Sequence, residues 1–160
     1  MRVKGIIAED FSNYKLPSMF ISAVSCDWKC CVEAGIDISI CQNSALSSFP
    51  TYEIDDIDIF NMFIKNPITK AVVIGGLEPM LQFNEIVHLL DIFRSNGSDA
   101  IFVIYTGYYP EEISEKIELL RGKNVIMKYG RFIPNLQDGS VFDELLGITL
   151  ASWNQFSELI

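Results

Sequence analysis

Four cysteines, Cys26, Cys30, Cys31 and Cys41, fall within one stretch of sixteen residues, and the rest of the chain has none. Scattered cysteines are usually small core residues. A cluster of them in a chain with no secretory signature points instead to metal binding or redox chemistry. Soft thiolates are the natural ligands of iron–sulfur clusters and of zinc. Cys26-x3-Cys30 lets two thiolates reach one edge of a cluster from a single turn, and Cys41, after ten intervening residues, supplies a third. Three thiolates on a four-iron cluster leave one iron open, and an open position is what a catalytic metal site keeps. Neighbouring side chains diverge, so Cys31 reads as a packing residue or a substitute ligand. A four-cysteine zinc site is the competing reading. The adjacent pair and the lack of a second Cys-x2-Cys weigh against it.

Strands and helices must position these residues. Met19 to Val24 reads as a buried strand running straight into Cys26. Residues 26 to 53 form a long connection, of a length that inside a compact domain is usually functional. The spacing of Ile57, Ile59, Phe60, Phe63 and Ile64 predicts a helix over 56–65. Ala71-Val72-Val73-Ile74 is a short β-branched strand followed at once by Gly75-Gly76. Ile86, Val87, Leu89, Leu90 and Phe93 mark a helix over 83–93, and Ala100 to Tyr105 a strand that ends in Thr106-Gly107. A helix over 110–120 starts on Pro110 with two acids in its first turn, where the helix dipole favours them. Val125 to Lys128 is a further strand, and residues 1 to 18 read as an irregular lead-in. Alternation of this kind specifies a parallel sheet with right-handed crossover helices. Ligands of such sheets sit at the carboxyl ends of the strands, which here carry Cys26, Gly75-Gly76 and Thr106-Gly107.

The chain of 160 residues, 49% hydrophobic and 21% charged, fits one domain over 1–160 that needs no disulfide to hold a core. A net charge of −9 without a basic cluster argues against nucleic acid. No apolar run approaches the roughly 18 residues of a membrane span. These features lead to the expectation of a soluble, cytoplasmic protein. His88, in the 83–93 helix, is given no role, and the acidic run 53–58 reads as a solvated helix start. Trp28 either shields a metal or anchors its loop. Phe60, Phe63, Phe83 and Phe93 read as core.

Several segments together resemble the radical S-adenosylmethionine enzymes. A strand followed by Cys-x3-Cys and then Cys41-Gln42-Asn43 looks like their cluster loop, and Gly75-Gly76-Leu77-Glu78-Pro79 is similar to their Gly-Gly-Glu-Pro segment. Ile104 to Tyr108 with Glu111-Glu112-Ile113, then Gly130-Arg131-Phe132, then Ser152-Trp153-Asn154-Gln155, resemble one subgroup. That subgroup is the activating enzyme of the anaerobic (class III) ribonucleotide reductase. The resemblance implies an α/β partial barrel, mostly parallel, with outer helices. It implies a [4Fe-4S] cluster on Cys26, Cys30 and Cys41, and S-adenosylmethionine bound near Ile40, Asn43, Gly75, Gly76, Leu77 and Glu78. The paired glycines would let the backbone approach the methionyl group, because no Cβ intervenes. Reductive cleavage of the sulfonium would yield a 5′-deoxyadenosyl radical, which takes hydrogen from a glycine of the large reductase subunit. The protein positions and shields while the cofactor does the chemistry, so no side chain need be a catalytic acid or base. The implied electron donor is flavodoxin or ferredoxin. The alternatives are a radical enzyme acting on another substrate, and a degenerate metal-stabilised binding module.

Two features depart from that pattern. The usual spacing is Cys-x3-Cys-x2-Cys, and at the strict third position stands Glu33. With Cys41 as third ligand the loop is longer by eight residues, which loop-closure entropy prices at roughly 1 kcal/mol. Leu77 is either an insertion between the glycine pair and Glu78-Pro79 or a replacement of the second glycine, with Gly75 then in place of a serine.

Overall fold

In the computed structural model, residues 1–134, 136 and 141–160 are described. The centre is an open six-stranded sheet in the order β10-β7-β6-β5-β3-β2. Strands β3 (Ser18–Ser22), β5 (Ala71–Gly75), β6 (Ile101–Tyr105) and β7 (Val125–Tyr129) are parallel and adjacent in chain order. Helices α2 (Asp56–Lys65), α3 (Phe83–Ser95) and α4 (Ser114–Leu120) connect them. All three pack on one sheet face, where Met19, Ile21, Val72, Ile74, Phe102 and Ile104 alternate inward. Same-handed crossovers in a steadily advancing strand order require this. Phe93 of α3 is fully buried there, with the rings of Phe60, Phe63 and Phe102 edge-on at 5.0–5.2 Å.

The opposite face is covered as well. Val73, Val103 and Ile126 pack under Tyr14, Leu146 and Leu150. Leu146 lies between the short strands β8 (Phe142–Asp143) and β9 (Ile148–Thr149), which pair antiparallel. β9 is thus the return of a small hairpin that lies over the sheet.

The parallel strands and their helices lie where periodicity places them. The structure adds two strands to the sheet and divides one expected helix. Residues 1 to 18 contain a sheet strand, β2 (Gly5–Asp10), which pairs antiparallel with β3, and a short β1 (Arg2–Val3) paired with β4 (Tyr52–Glu53). The C-terminus is also a strand, β10 (Phe156–Leu159), antiparallel to β7. Both are edge strands with few buried positions, so neither carries the continuous apolar run of a central parallel strand. The predicted 110–120 helix is a 3-10 turn at Pro110–Glu112 followed by α4. The α/β sheet is mostly parallel, as expected, and its edges β2 and β10 are open, so no closed barrel forms. Among the described residues, no helix is long and apolar enough to cross a membrane.

Candidate metal centre

The parallel strands end at one rim, and successive segments there are bonded to one another. After β3, the Ala23 amide donates to the Gly75 carbonyl (2.8 Å), and the Glu78 amide donates to Ser25 (2.8 Å). After β6, the Thr106 amide donates to Lys128, and after β7 the Gly130 amide donates to Tyr108 (3.1 Å). The loops carrying Cys26, Gly75-Gly76, Thr106-Gly107 and Gly130-Arg131 are therefore parts of one surface, as the strand order predicts.

The cysteine segment is partly ordered. Trp28 takes a left-handed backbone (φ 59°) and caps α1 (Lys29–Ala34), accepting bonds from the Cys31 and Val32 amides at 2.9 Å. Its own amide donates to the Cys26 sulfur at 3.3 Å. The Trp28 backbone, rather than its ring, makes these contacts. Gly35, left-handed at φ 64°, ends α1. An arm with 3-10 turns at Ile38–Ile40 and Ser44–Ser48 then carries Cys41. Lys4 tethers this arm through the Ser47 carbonyl at 3.0 Å. Leu46 packs on Gly76.

All four thiols are free. Cys31 is buried, as a packing residue should be, whereas Cys26, Cys30 and Cys41 are half-buried. Burial pushes the Cys26 thiol up to about 12, with the Trp28 amide opposing the rise. Burial also raises Cys30, while the Phe132 backbone amide and the Arg131 guanidinium hold it down. Cys30 lies within electrostatic reach of both Cys26 and Cys41. Among the described residues, no three cysteine, histidine or acidic side chains form a group that could hold a metal ion. The donor set fits an iron–sulfur cluster in kind, being thiols alone from one segment. Cys41 stands on an arm of its own beyond Gly35.

The residues expected at a second cofactor differ in exposure. Ile40 is 53% exposed, and Asn43 is exposed at the start of the second 3-10 turn. A Cβ on Gly75 would stand 3.2 Å from Tyr105 Cβ, and one on Gly76, which is left-handed at φ 79°, would stand 3.0 Å from Leu46 Cδ1. The protein's own side chains occupy the space at both glycines. Leu77 is buried. Glu78 is buried and fully engaged: its carboxylate accepts from the Met80 amide (2.9 Å), the Thr106 hydroxyl (2.7 Å) and the Gly107 amide (2.9 Å). Burial raises its carboxyl, against those three donors. Glu78 thereby ties the loop after β5 to the loop after β6. Two surface clefts, one along Met80–Glu85 and one around Asp56 and His88, include neither the glycines nor the cysteines.

Three site residues escape sequence reasoning. Gly107 is the first: a Cβ there would stand 3.0 Å from the Cys30 sulfur. Its position after a strand is visible in the sequence, but its contact is not. The second is Lys128, expected only as a strand residue. Its ammonium lies 5.8 Å from the centre of the Tyr105 ring, and burial pushes it down to about 8, with Cys30 and Glu78 opposing the fall. No carboxylate pairs with it among the described residues. The third is Arg131, whose Gly-Arg-Phe segment is recognisable only as a landmark. The Arg131 carbonyl accepts from Asn154 (2.9 Å) and Ser152 (3.3 Å), and Gln155 donates to Gly130 (3.1 Å). The two late landmarks are thus one packed unit.

Away from the rim, Asp56 is buried rather than solvated. It pairs with the Met1 ammonium at 2.7 Å and with His88 Nδ1.

The family model of the 4Fe-4S single cluster domain matches residues 21–143, which include all four cysteines and every parallel strand but the first residues of β3. Neither the curated proteins nor the solved structures contain a significant match. The match spans more than half of the chain and begins just ahead of the thiols, so this protein belongs to the 4Fe-4S single cluster domain family, which supports iron–sulfur binding.

Proposed function

We propose that this chain holds a [4Fe-4S] cluster on Cys26, Cys30 and Cys41, cleaves S-adenosylmethionine reductively, and installs a glycyl radical on an anaerobic ribonucleotide reductase. The observation that carries this reading is the shared rim. Cys26 and Cys30 follow β3, and the Cys30 sulfur faces Gly107 beyond β6. When bound, the cluster supplies the electron that breaks the sulfonium carbon–sulfur bond, and the resulting 5′-deoxyadenosyl radical removes hydrogen from a glycine. This chain's residues hold and shield. Gly107 leaves room for the Cys30 sulfur. Glu78 braces two rim loops through its three accepted bonds. Lys128 offers an ammonium to an amino-acid carboxylate. On this reading the sheet is a partial barrel whose mouth a protein substrate completes. Exposed Val32, Ile38 and Ile40 on the cysteine segment suit such a partner. The reductase large subunit is that partner, and flavodoxin or ferredoxin is the cytoplasmic electron donor.

The test is anaerobic reconstitution with iron and sulfide, followed by reduction with dithionite in the presence of S-adenosylmethionine. The expected outcome is a brown protein that releases 5′-deoxyadenosine. One observation favours a second reading, a metal-stabilised binding module: Leu46 fills the space beside Gly76. Iron uptake without any nucleoside product would select it. Product without radical transfer to a reductase would select a radical enzyme with another substrate.

A further inference from the structure

Arg131 is 4% exposed, yet it carries a full charge at the rim. A guanidinium has five N–H donors, and here all five have acceptors. Nε and Nη2 reach Glu33 at 2.9 and 3.1 Å. Nη1 and Nη2 reach Glu112 at 2.6 and 2.7 Å. Nη1 also donates to the Gly107 carbonyl. The Tyr108 and Tyr109 rings stand 5.5 and 5.1 Å from the guanidinium carbon. Glu112 is further fixed by the Tyr109 amide (2.8 Å) and by Lys29.

This arrangement fastens α1 to the rest of the rim. The helix is six residues long, and Cys31 is its one buried side chain, so apolar packing alone holds it weakly. Glu33 stands one turn beyond Cys30 on that helix, and its partner Arg131 belongs to the segment after β7. Gly107 is touched from two sides, by Arg131 at its carbonyl and by the Cys30 sulfur at its Cα. The position that could have offered a third thiolate on α1 is thus occupied by an exposed carboxylate paired with the buried Arg131.

We propose that the Glu33–Arg131–Glu112 clamp is the positioning device of the metal centre: it docks the cysteine helix against Gly107 and fixes the charge that the cluster on Cys30 experiences. The proposal rests on the cluster reading above. Reduction adds one negative charge to a cluster. A nearby cation therefore favours the reduced form, and a nearby anion disfavours it. Removing either member of the pair should move the potential in opposite directions, which simple loosening of the helix would not do.

The experiment uses the full chain, reconstituted anaerobically with iron and sulfide, and follows reduction by electron paramagnetic resonance against redox mediators. Thermal melts of the metal-free chain score folding separately. Arg131→Gln should lower the potential, and Glu33→Gln should raise it. Each shift should approach tenfold in the reduction equilibrium, which is 59 mV for one electron. Arg131→Lys keeps the charge but not the fork, and should fall between the parent and Arg131→Gln. If Arg131→Gln fails to fold, Glu33→Gln and Arg131→Lys decide the matter alone. Shifts of the same sign, or an unmoved potential with the cluster intact, would overturn the clamp and leave the cluster reading standing. Absence of any cluster in the parent chain would overturn the cluster reading and the clamp with it.

Discussion

Cys26 shows what metal binding must accomplish at a single residue. Its thiol is pushed up to about 12, chiefly by burial, and only the thiolate attacks electrophiles or binds metal. In the metal-free chain, alkylation of Cys26 by iodoacetamide should therefore be slow at pH 7 and rise about tenfold per pH unit toward pH 11. Mass spectrometry of the peptide carrying Cys26 measures this, and fast labelling at pH 7 would contradict the burial-raised thiol. On the proposed ligand set iron displaces that proton, so cluster assembly should release protons and proceed better at higher pH. The same logic orders the cysteine variants. Cys26→Ala, Cys30→Ala and Cys41→Ala should each abolish the reconstituted cluster, read as iron and sulfide per chain. Cys31→Ala should retain most of it, because the buried Cys31 serves packing. A full cluster in the Cys41 variant would reassign the third ligand.

Among the elements, two glycines at strand ends separate positioning from stability. Gly76 is left-handed and lies under Leu46. Gly76→Ala should cost about 1–2 kcal/mol from backbone conformation alone, and it should also displace the arm that carries Cys41. Gly107 has no positive φ, and the atom its Cβ would meet is the Cys30 sulfur at 3.0 Å. Gly107→Ala should therefore leave the melting temperature nearly unchanged while reducing cluster retention, measured as iron content after desalting. The helical layer answers to packing instead. Phe93→Ala, at the centre of the ring contacts of α3, should cost about 3–5 kcal/mol. These contrasts follow how much of each element the sequence displays. Helices α2 and α3 and the four parallel strands are legible because burial imposes period 3.6 or a continuous apolar run. β2 and β10 are hidden because an edge strand buries little and carries no such pattern. At the site, thiols, glycine pairs and Glu78 are visible as unusual residues at strand ends. The partnerships Glu33–Arg131 and Gly107–Cys30 are not, because they join segments that only the folded sheet brings together.

For the molecule as a whole, acid sets two opposing effects against each other. The net charge of −9 falls toward zero near the sequence isoelectric point of about 4.5, so solubility should be lowest there. Stability should follow the individual carboxyls instead. Burial raises the Glu78 carboxyl in the folded chain. Such a group releases its proton more easily when unfolded, so lowering the pH toward the ordinary carboxylate range should add stability. Glu112, held by Arg131, and Glu85, held by Arg2, lie below that range when folded. Their contributions are present above the unfolded value and disappear only as the pH drops through the depressed folded values. The metal-free chain should therefore melt at a higher temperature near pH 5 than at pH 7, and lose stability steeply only in stronger acid. Circular dichroism melts at micromolar concentration and several pH values measure this. Glu78→Gln should flatten the rise between pH 7 and 5, and Arg131→Gln should move the acid collapse to higher pH. A melting temperature that falls monotonically from pH 7 in the parent chain would mean that the three donors around Glu78 outweigh its burial, and Glu78 would then join Glu112 among the carboxyls that folding keeps ionised.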